Sequence, residues 1–219
     1  MESFPFLHEL WMAKSALGSG LLCTLGVSAA AIAGGTLLGL PIGIALAEGP
    51  KPVRFLSRAY VDVLRGTPVL VLVLAAFYVP AVVGLNLGAL SAGILALTLF
   101  CGAHVGEIVR GALQTIPPGQ TEAGRSIGLT FPQIFAHVLL PQALRAILPT
   151  WINTGVELVK ASTLLSVIGV GDLLLKVQEI IGRTFMSLDF YVFAGALYLI
   201  VNFAIERLGK AAERRFAHP

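Results

Sequence analysis

Long uncharged apolar runs alternate with short polar segments along the whole chain. Residues 17–47 carry no charge at all. Roughly 20 apolar residues cross a bilayer core as a helix, so this run predicts a first span with length to spare. Further spans follow over 61–84 (its apolar heart beginning at Val69), 90–109, 143–168 and 190–205. The first run holds Gly18, Gly20, Gly26, Gly34, Gly35, Gly39 and Gly43, and such small residues allow close helix packing in lipid. Segment 169–189 is mixed. Leu173, Leu174, Leu175, Val177, Ile180 and Ile181 give it an apolar side, while Asp172, Glu179 and Asp189 roughly balance Lys176 and Arg183. It reads as an outer-surface helix, or one that dips back into the membrane. The chain is therefore expected to be an all-α integral membrane protein of about five transmembrane helices. A single transmembrane domain over 17–209 follows an outer segment at 1–16 and precedes a tail at 210–219.

Composition agrees with that pattern. Of 219 residues, 56% are apolar and 12% charged, with a mean hydropathy of +0.86. Soluble domains average about 25% charged residues, so one aqueous core would not hide this much apolar surface. The net charge of +3 is small, and no stretch interleaves basic and aromatic residues as a nucleic-acid surface would. Cys23 and Cys101 lie inside apolar runs and read as small packing residues. Glu2 and Glu9 precede the first early cation, Lys14, unlike the basic opening of a cleaved signal peptide. The first span is expected to be retained.

Five spans place the chain ends on opposite sides, and the cations decide which. Lys51, Arg54, Arg58, Arg65, Arg110, Arg125, Arg145, Arg207, Lys210, Arg214 and Arg215 fall in the segments on one side. Only Lys14, Lys160, Lys176 and Arg183 belong to the other. The positive-inside rule then puts the N-terminus outside and the C-terminus in the cytoplasm. It also puts residues 117–141 in the cytoplasm. Lys210, Arg214 and Arg215 are expected at lipid headgroups.

That cytoplasmic segment is polar and carries two glycines between apolar runs. Pro117-Pro118-Gly119 breaks the chain after the third span. Thr121 is placed to cap a short helix from Glu122, with the carboxylate at the positive helix end, and Gly128 to stop it. Thr130 is placed to cap a second short helix with Pro132 in its first turn, packed through Ile134, Phe135, Val138 and Leu139 and ended by Pro141. Two short helices at an angle make a rigid knob that transmits displacement. An ordinary amphipathic loop fits the same pattern.

Several motifs, in order over residues 55–189, resemble the permease subunits of ATP-binding-cassette importers for polar amino acids, the histidine, glutamine and arginine type. Tyr60 with Leu64-Arg65-Gly66-Thr67-Pro68 is similar to one segment of that family. Residues 103–111, Ala-His-Val-Gly-Glu-Ile-Val-Arg-Gly, are similar to a second. Gly119-Gln120, Glu122-Ala123, Gly128 and Leu140-Pro141-Gln142-Ala143 resemble its cytoplasmic docking loop, and Pro149, Asn153 and Leu158-Val159-Lys160 with Ser162 its fourth-span segment. His104 stands where the family usually has Tyr, and Ala161 where it commonly has Asp. Both departures bear on substrate preference.

The resemblance implies a type I importer permease fold in the bacterial cytoplasmic (inner) membrane, crossing it several times. It implies a translocation pathway working by alternating access. Gln120, Glu122, Ala123, Gly128, Leu140 and Pro141 would couple this chain to an ATPase. The implied partners are a cytoplasmic ATP-binding subunit dimer, a second permease subunit, identical or homologous, and an external substrate-binding protein. The substrate would be an amino acid or related small zwitterion.

The sequence holds no Gly-x-x-x-x-Gly-Lys-Ser/Thr phosphate loop. No cofactor is therefore expected on this chain, with ATP and Mg on the partner ATPase and no catalytic or metal-binding residue here. Polar residues inside spans are expensive and invite a functional reading. Asn153, Glu157 and Lys160 share a face of the fourth span, and Glu157 and Lys160 stand at i, i+3. They either pair internally or face a substrate with Ser162. His104 and Glu107 stand at i, i+3 on the third span and either pair with each other or Arg110, or join the pathway. Arg65 is within reach of Asp62. The alternative function is an ATP-independent channel or scaffold whose Glu122 loop binds another cytoplasmic protein.

Overall fold

Glycines set how closely the two central helices approach. Helix α1 (Pro5–Glu48) packs lengthwise against α4 (Ala89–Gln114). A Cβ on Gly39 would stand 2.6 Å from that of Val105, and one on Gly43 2.5 Å from that of Val109. Gly35 makes the equivalent approach to buried Cys101 one turn earlier. Between Gly35 and Gly43, every fourth residue of α1 thus lacks a side chain, so that α4 can lie in the groove. The computed structural model describes residues 5–217, and every regular element in them is helical. Residues 1–4 of the expected outer segment and 218–219 of the expected tail lie outside the described residues, as does the Arg215 side chain.

The first helix is longer than expected. It begins at Pro5, so residues 5–16 are continuous with the first span. Glu9 and Lys14 are charged but do not break a helix, and no glycine or proline stands between Phe6 and Leu17. At about 1.5 Å per residue its 44 residues greatly exceed a hydrocarbon core of about 30 Å.

The expected second span over 61–84 is not one straight helix. Helix α2 (Lys51–Gly66) and α3 (Val69–Val82) meet at 107° across Thr67-Pro68. Proline lacks an amide hydrogen and pushes the preceding residue out of the helical region, and Thr67 is extended at φ −100°, ψ 133°. Helix α2 is amphipathic. Val61 is buried while Phe55, Leu56 and Val63 are exposed. The Tyr60 hydroxyl donates to the Leu99 carbonyl at 2.7 Å and fastens α2 to α4.

After α4 come α5 (Pro118–Ser126) and the short α6 (Phe131–Ile134), then a π-helical turn (Phe135–Leu139) that runs directly into α7 (Leu140–Ala161). A 3-10 turn (Ser162–Ile168) follows, ending at Gly169 with φ +82°. Helix α8 (Leu173–Thr184) leaves at 50° to the preceding stretch, and α9 (Ser187–Ala217) closes the bundle. Among the described residues, three helices, α1, α4 and α9, are long and apolar enough to cross a membrane, and up to five crossings result when each bent pair counts as one.

Contacts sort the elements into two ends. At one, Phe6 of α1 meets Phe190 of α9 edge-on at 5.3 Å between ring centroids, and Gly20 abuts Leu173 at the start of α8. At the other, the last residues of α1 and α4 meet the segment between α4 and α7, where Glu48, Gln114 and Glu122 line one notch. Between the ends, Trp151 Nε1 of α7 donates to Thr36 Oγ1 of α1 at 2.8 Å. Interhelical hydrogen bonds in lipid contribute only about 0.6 kcal/mol on average, so this one sets register more than stability.

Candidate functional site

The polar segment after α4 folds into a knob, as its spacing suggested, with two boundaries moved. Helix α5 starts at Pro118, one turn before the expected start at Glu122, and Thr121 lies inside it. Proline at the first helical positions has its φ already set and no amide left unpaired, so Pro117-Pro118 initiates rather than only breaks. Gly128 ends α5 in the left-handed region at φ +83°. Its amide donates to the Arg125 carbonyl at 2.9 Å and the Leu129 amide to the Gly124 carbonyl at 3.1 Å, a glycine-dependent helix stop. Gln133 accepts from the Thr130 backbone amide at 2.8 Å and from its hydroxyl at 2.9 Å, closing the start of α6.

Pro141 does not end the second helix. The π turn widens the backbone over 135–139, and the chain continues as α7 with Pro141 in its first turn. A widened turn of this kind is a known site of helix redirection. The knob is therefore rigidly continuous with α7 on one side and three residues from α4 on the other.

Within the knob, Gln120, Glu122, Ala123, Gly128 and Pro141 are exposed, and Leu140 is half-buried. Gln142 donates to the Val138 carbonyl at 2.7 Å and reaches Gln120 Oε1 at 3.5 Å. Two residues that sequence reasoning did not weigh in this role hold the two helices together. Gly124 is buried, and a Cβ there would come within 2.7 Å of Cγ1 of the fully buried Ile134. The sequence carried no signal of this contact, which only the folding of the two helices against each other creates. Beside the knob, Glu48, Gln114, Pro118, Thr121, Glu122 and Arg125 border a notch of about 370 Å³.

A second feature lies on α7. Asn153, Glu157 and Lys160 are exposed, while Thr154, Leu158 and Val159 pack inward. No ion pair joins Glu157 to Lys160 among the described residues, although their spacing allowed one. Ser162 does not join this face, because it is fully buried and its hydroxyl donates to the Val159 carbonyl at 2.8 Å. Ser162 follows Asn153 by nine residues, which at 3.6 residues per turn puts it on the opposite side of the helix from the stripe.

His104 and Glu107 do not pair with each other. His104 Nδ1 lies 3.0 Å from the Phe100 carbonyl, its ring 4.2 Å from that of Phe100. Glu107 is held by Arg110 Nε at 3.0 Å and by Arg58 of α2 at 3.2 Å. Arg65 turns to Glu107 at 3.9 Å and not to Asp62, which pairs with Arg58 at 3.6 Å. Among the described residues, no group of three or more His, Cys, Asp or Glu side chains is arranged to hold a metal ion.

A bundle with bent apolar spans and a polar knob at one end is the architecture of a polytopic membrane protein. The sequence profile described as "Binding-protein-dependent transport system inner membrane component" matches residues 39–218, and the chain belongs to this family. It is 32% identical over 208 residues to the glutamine transport system permease protein GlnP of Escherichia coli, covering 94% of this chain and 95% of that one. It is 33% identical over 200 residues to the L-cystine transport system permease protein TcyB of Bacillus subtilis, covering 91% and 86%. The solved structure of an amino acid ABC transporter with histidines superposes with a TM-score of 0.88 at 33% identity, covering 94% of this chain and 96% of that one. The chain is thus a type I permease subunit of an ATP-binding-cassette importer, not an enzyme.

Proposed function

We propose that this chain forms half of a translocation pathway for polar amino acids or related small zwitterions in the bacterial inner membrane. The α5–α6 knob, with Gln120, Glu122, Ala123, Gly128, Leu140 and Pro141, docks on one subunit of a cytoplasmic ATP-binding dimer. ATP and Mg belong to that dimer. A second permease subunit, identical or homologous, completes the pathway, and an external binding protein delivers the substrate. Relatives named for glutamine and cystine transport support the substrate class.

The observation that carries this reading is the α7 stripe. Asn153, Glu157 and Lys160 face outward from a span with no ion pair between the two charges. Charged groups in lipid are costly unless they face a bundle interior or a wet cavity, so this face belongs against a pathway. One carboxylate and one ammonium suit the two charges of a zwitterion. Alternating access then moves this face between the two sides as nucleotide and loaded receptor bias two packings of the helices.

The test is reconstitution of this chain with its ATP-binding subunit and receptor in liposomes. ATP-dependent accumulation of glutamine, arginine, histidine or cystine above the outside concentration is expected. Equilibration without ATP would establish a passive channel instead.

A further inference from the structure

Three guanidinium groups from two helices converge on one carboxylate. Glu107 of α4 is bonded by Arg110 one turn below and by Arg58 of α2, and Arg65 of α2 stands 3.9 Å away. Glu107 is mostly shielded, its side chain 20% exposed. Asp62 is the only other carboxylate within 4 Å of these arginines among the described residues, and it reaches Arg58 alone. Removal of the Glu107 charge would leave three cations facing one another with one peripheral anion. Breaking a partly buried pair by deleting one partner is far more disruptive than the net worth of the pair.

The location matters as much as the charge. Arg58 and Arg65 sit on α2, and Arg65 is two residues before the Thr67-Pro68 bend that turns the chain by 107° into α3. Glu107 and Arg110 sit in the last two turns of α4, which runs into the knob across residues 115–117. Among the described residues, Tyr60 to Leu99 is the one other hydrogen bond between α2 and α4. That contact is neutral and lies two turns further from the knob.

We propose that Glu107 is a positioning residue for coupling, an ionic clamp that makes the α2–α3 elbow move with α4 when the knob is displaced. The inference rests on the docking reading above. Without the clamp, α4 still receives motion from the knob, but the elbow no longer follows, and ATP hydrolysis is spent without rearranging the span that α3 contributes. Two-state elements biased from both sides are what such coupling requires.

The experiment compares Glu107→Gln with the unmodified chain, each in complex with the ATP-binding subunit and receptor in liposomes. The readout is substrate taken up per ATP hydrolysed, with glutamine, arginine, histidine and cystine as probes. Glu107→Gln is expected to co-purify with the ATPase at normal yield and keep basal hydrolysis, while uptake per ATP falls about fivefold, within the range that mutations along coupling networks produce. Arg65→Gln, a milder loss at the clamp's edge, is expected to lower the ratio less and guards against a Glu107→Gln chain that does not insert. The charge swap Glu107→Arg with Arg58→Glu is expected to recover part of the ratio. A purely structural role would lower yield and melting temperature but leave uptake per ATP unchanged. An unchanged ratio in Glu107→Gln, or in Arg65→Gln should the first not insert, overturns the clamp alone. Loss of ATPase binding in the unmodified chain would overturn the docking reading beneath it.

Discussion

Gly124 and Ile134 interlock: the glycine of α5 leaves the space that the isoleucine of α6 fills, with 2.7 Å between the Ile134 Cγ1 and the point a Cβ would occupy. This contact fixes the angle between the two knob helices. Gly124→Val is expected to force them apart. Overpacking typically costs about 1–3 kcal/mol, and here the strain falls on the surface proposed to meet the ATPase. Co-purification with the ATP-binding subunit should drop severalfold, and Gly124→Val with Ile134→Ala should restore it. Equal co-purification by the single variant would show that the knob angle is immaterial.

The α1–α4 ladder leads to a different outcome, measured as stability. Gly39→Val puts a branched side chain where Val105 and the Gly102 carbonyl already stand. Backbone cannot retreat as a flexible side chain does, so the melting temperature in detergent should fall by several degrees. Gly18→Val, at a position of α1 with open space around it, should leave it nearly unchanged.

Asp172 caps α8, accepting from the Leu175 amide at 2.8 Å through Oδ1. Asp172→Ala is expected to cost about 1 kcal/mol, or about 3 °C for a chain of this size. Asp172→Asn keeps the acceptor and should lose less. Thermal unfolding of the two variants side by side distinguishes a capping role from a charge effect, since a charge effect would make Asn as damaging as Ala.

The α7 stripe sets substrate preference if it faces the pathway. Glu157→Gln should weaken uptake of arginine more than that of glutamine, because only the cationic side chain loses a charge partner. Equal loss for both substrates would mean that Glu157 acts through the structure of the bundle.

The sequence made some of these features legible and hid others for physical reasons. Apolar run length was enough for up to five crossings, because hydrocarbon thickness acts locally. Gly128 and Thr130 were readable as helix punctuation for the same reason. Pro68 was read only as part of a motif within a span over 61–84, and the 107° turn at it goes with the way α2 lies against α4 through Tyr60 and Glu107. Pro141 misled, since a π turn before it admits a proline without ending the helix. Ser162 was expected beside the pathway, yet its spacing from Glu157 puts it on the far side of the helix, where it is buried. Arg58 and Arg65 carried no sign of their shared partner, which is more than forty residues away along the chain.

The central claim is that the knob receives work from a separate ATPase, and Glu122→Lys tests it most directly. Glu122 is exposed on α5 and lines the notch beside Glu48, so its reversal should not disturb membrane insertion. The measurement is retention of the ATP-binding subunit by the purified chain, with ATP-driven uptake followed in the same preparation. The account predicts normal insertion with loss of both retention and uptake. A Glu122→Lys chain that holds the ATPase and transports as well as the unmodified one would contradict it.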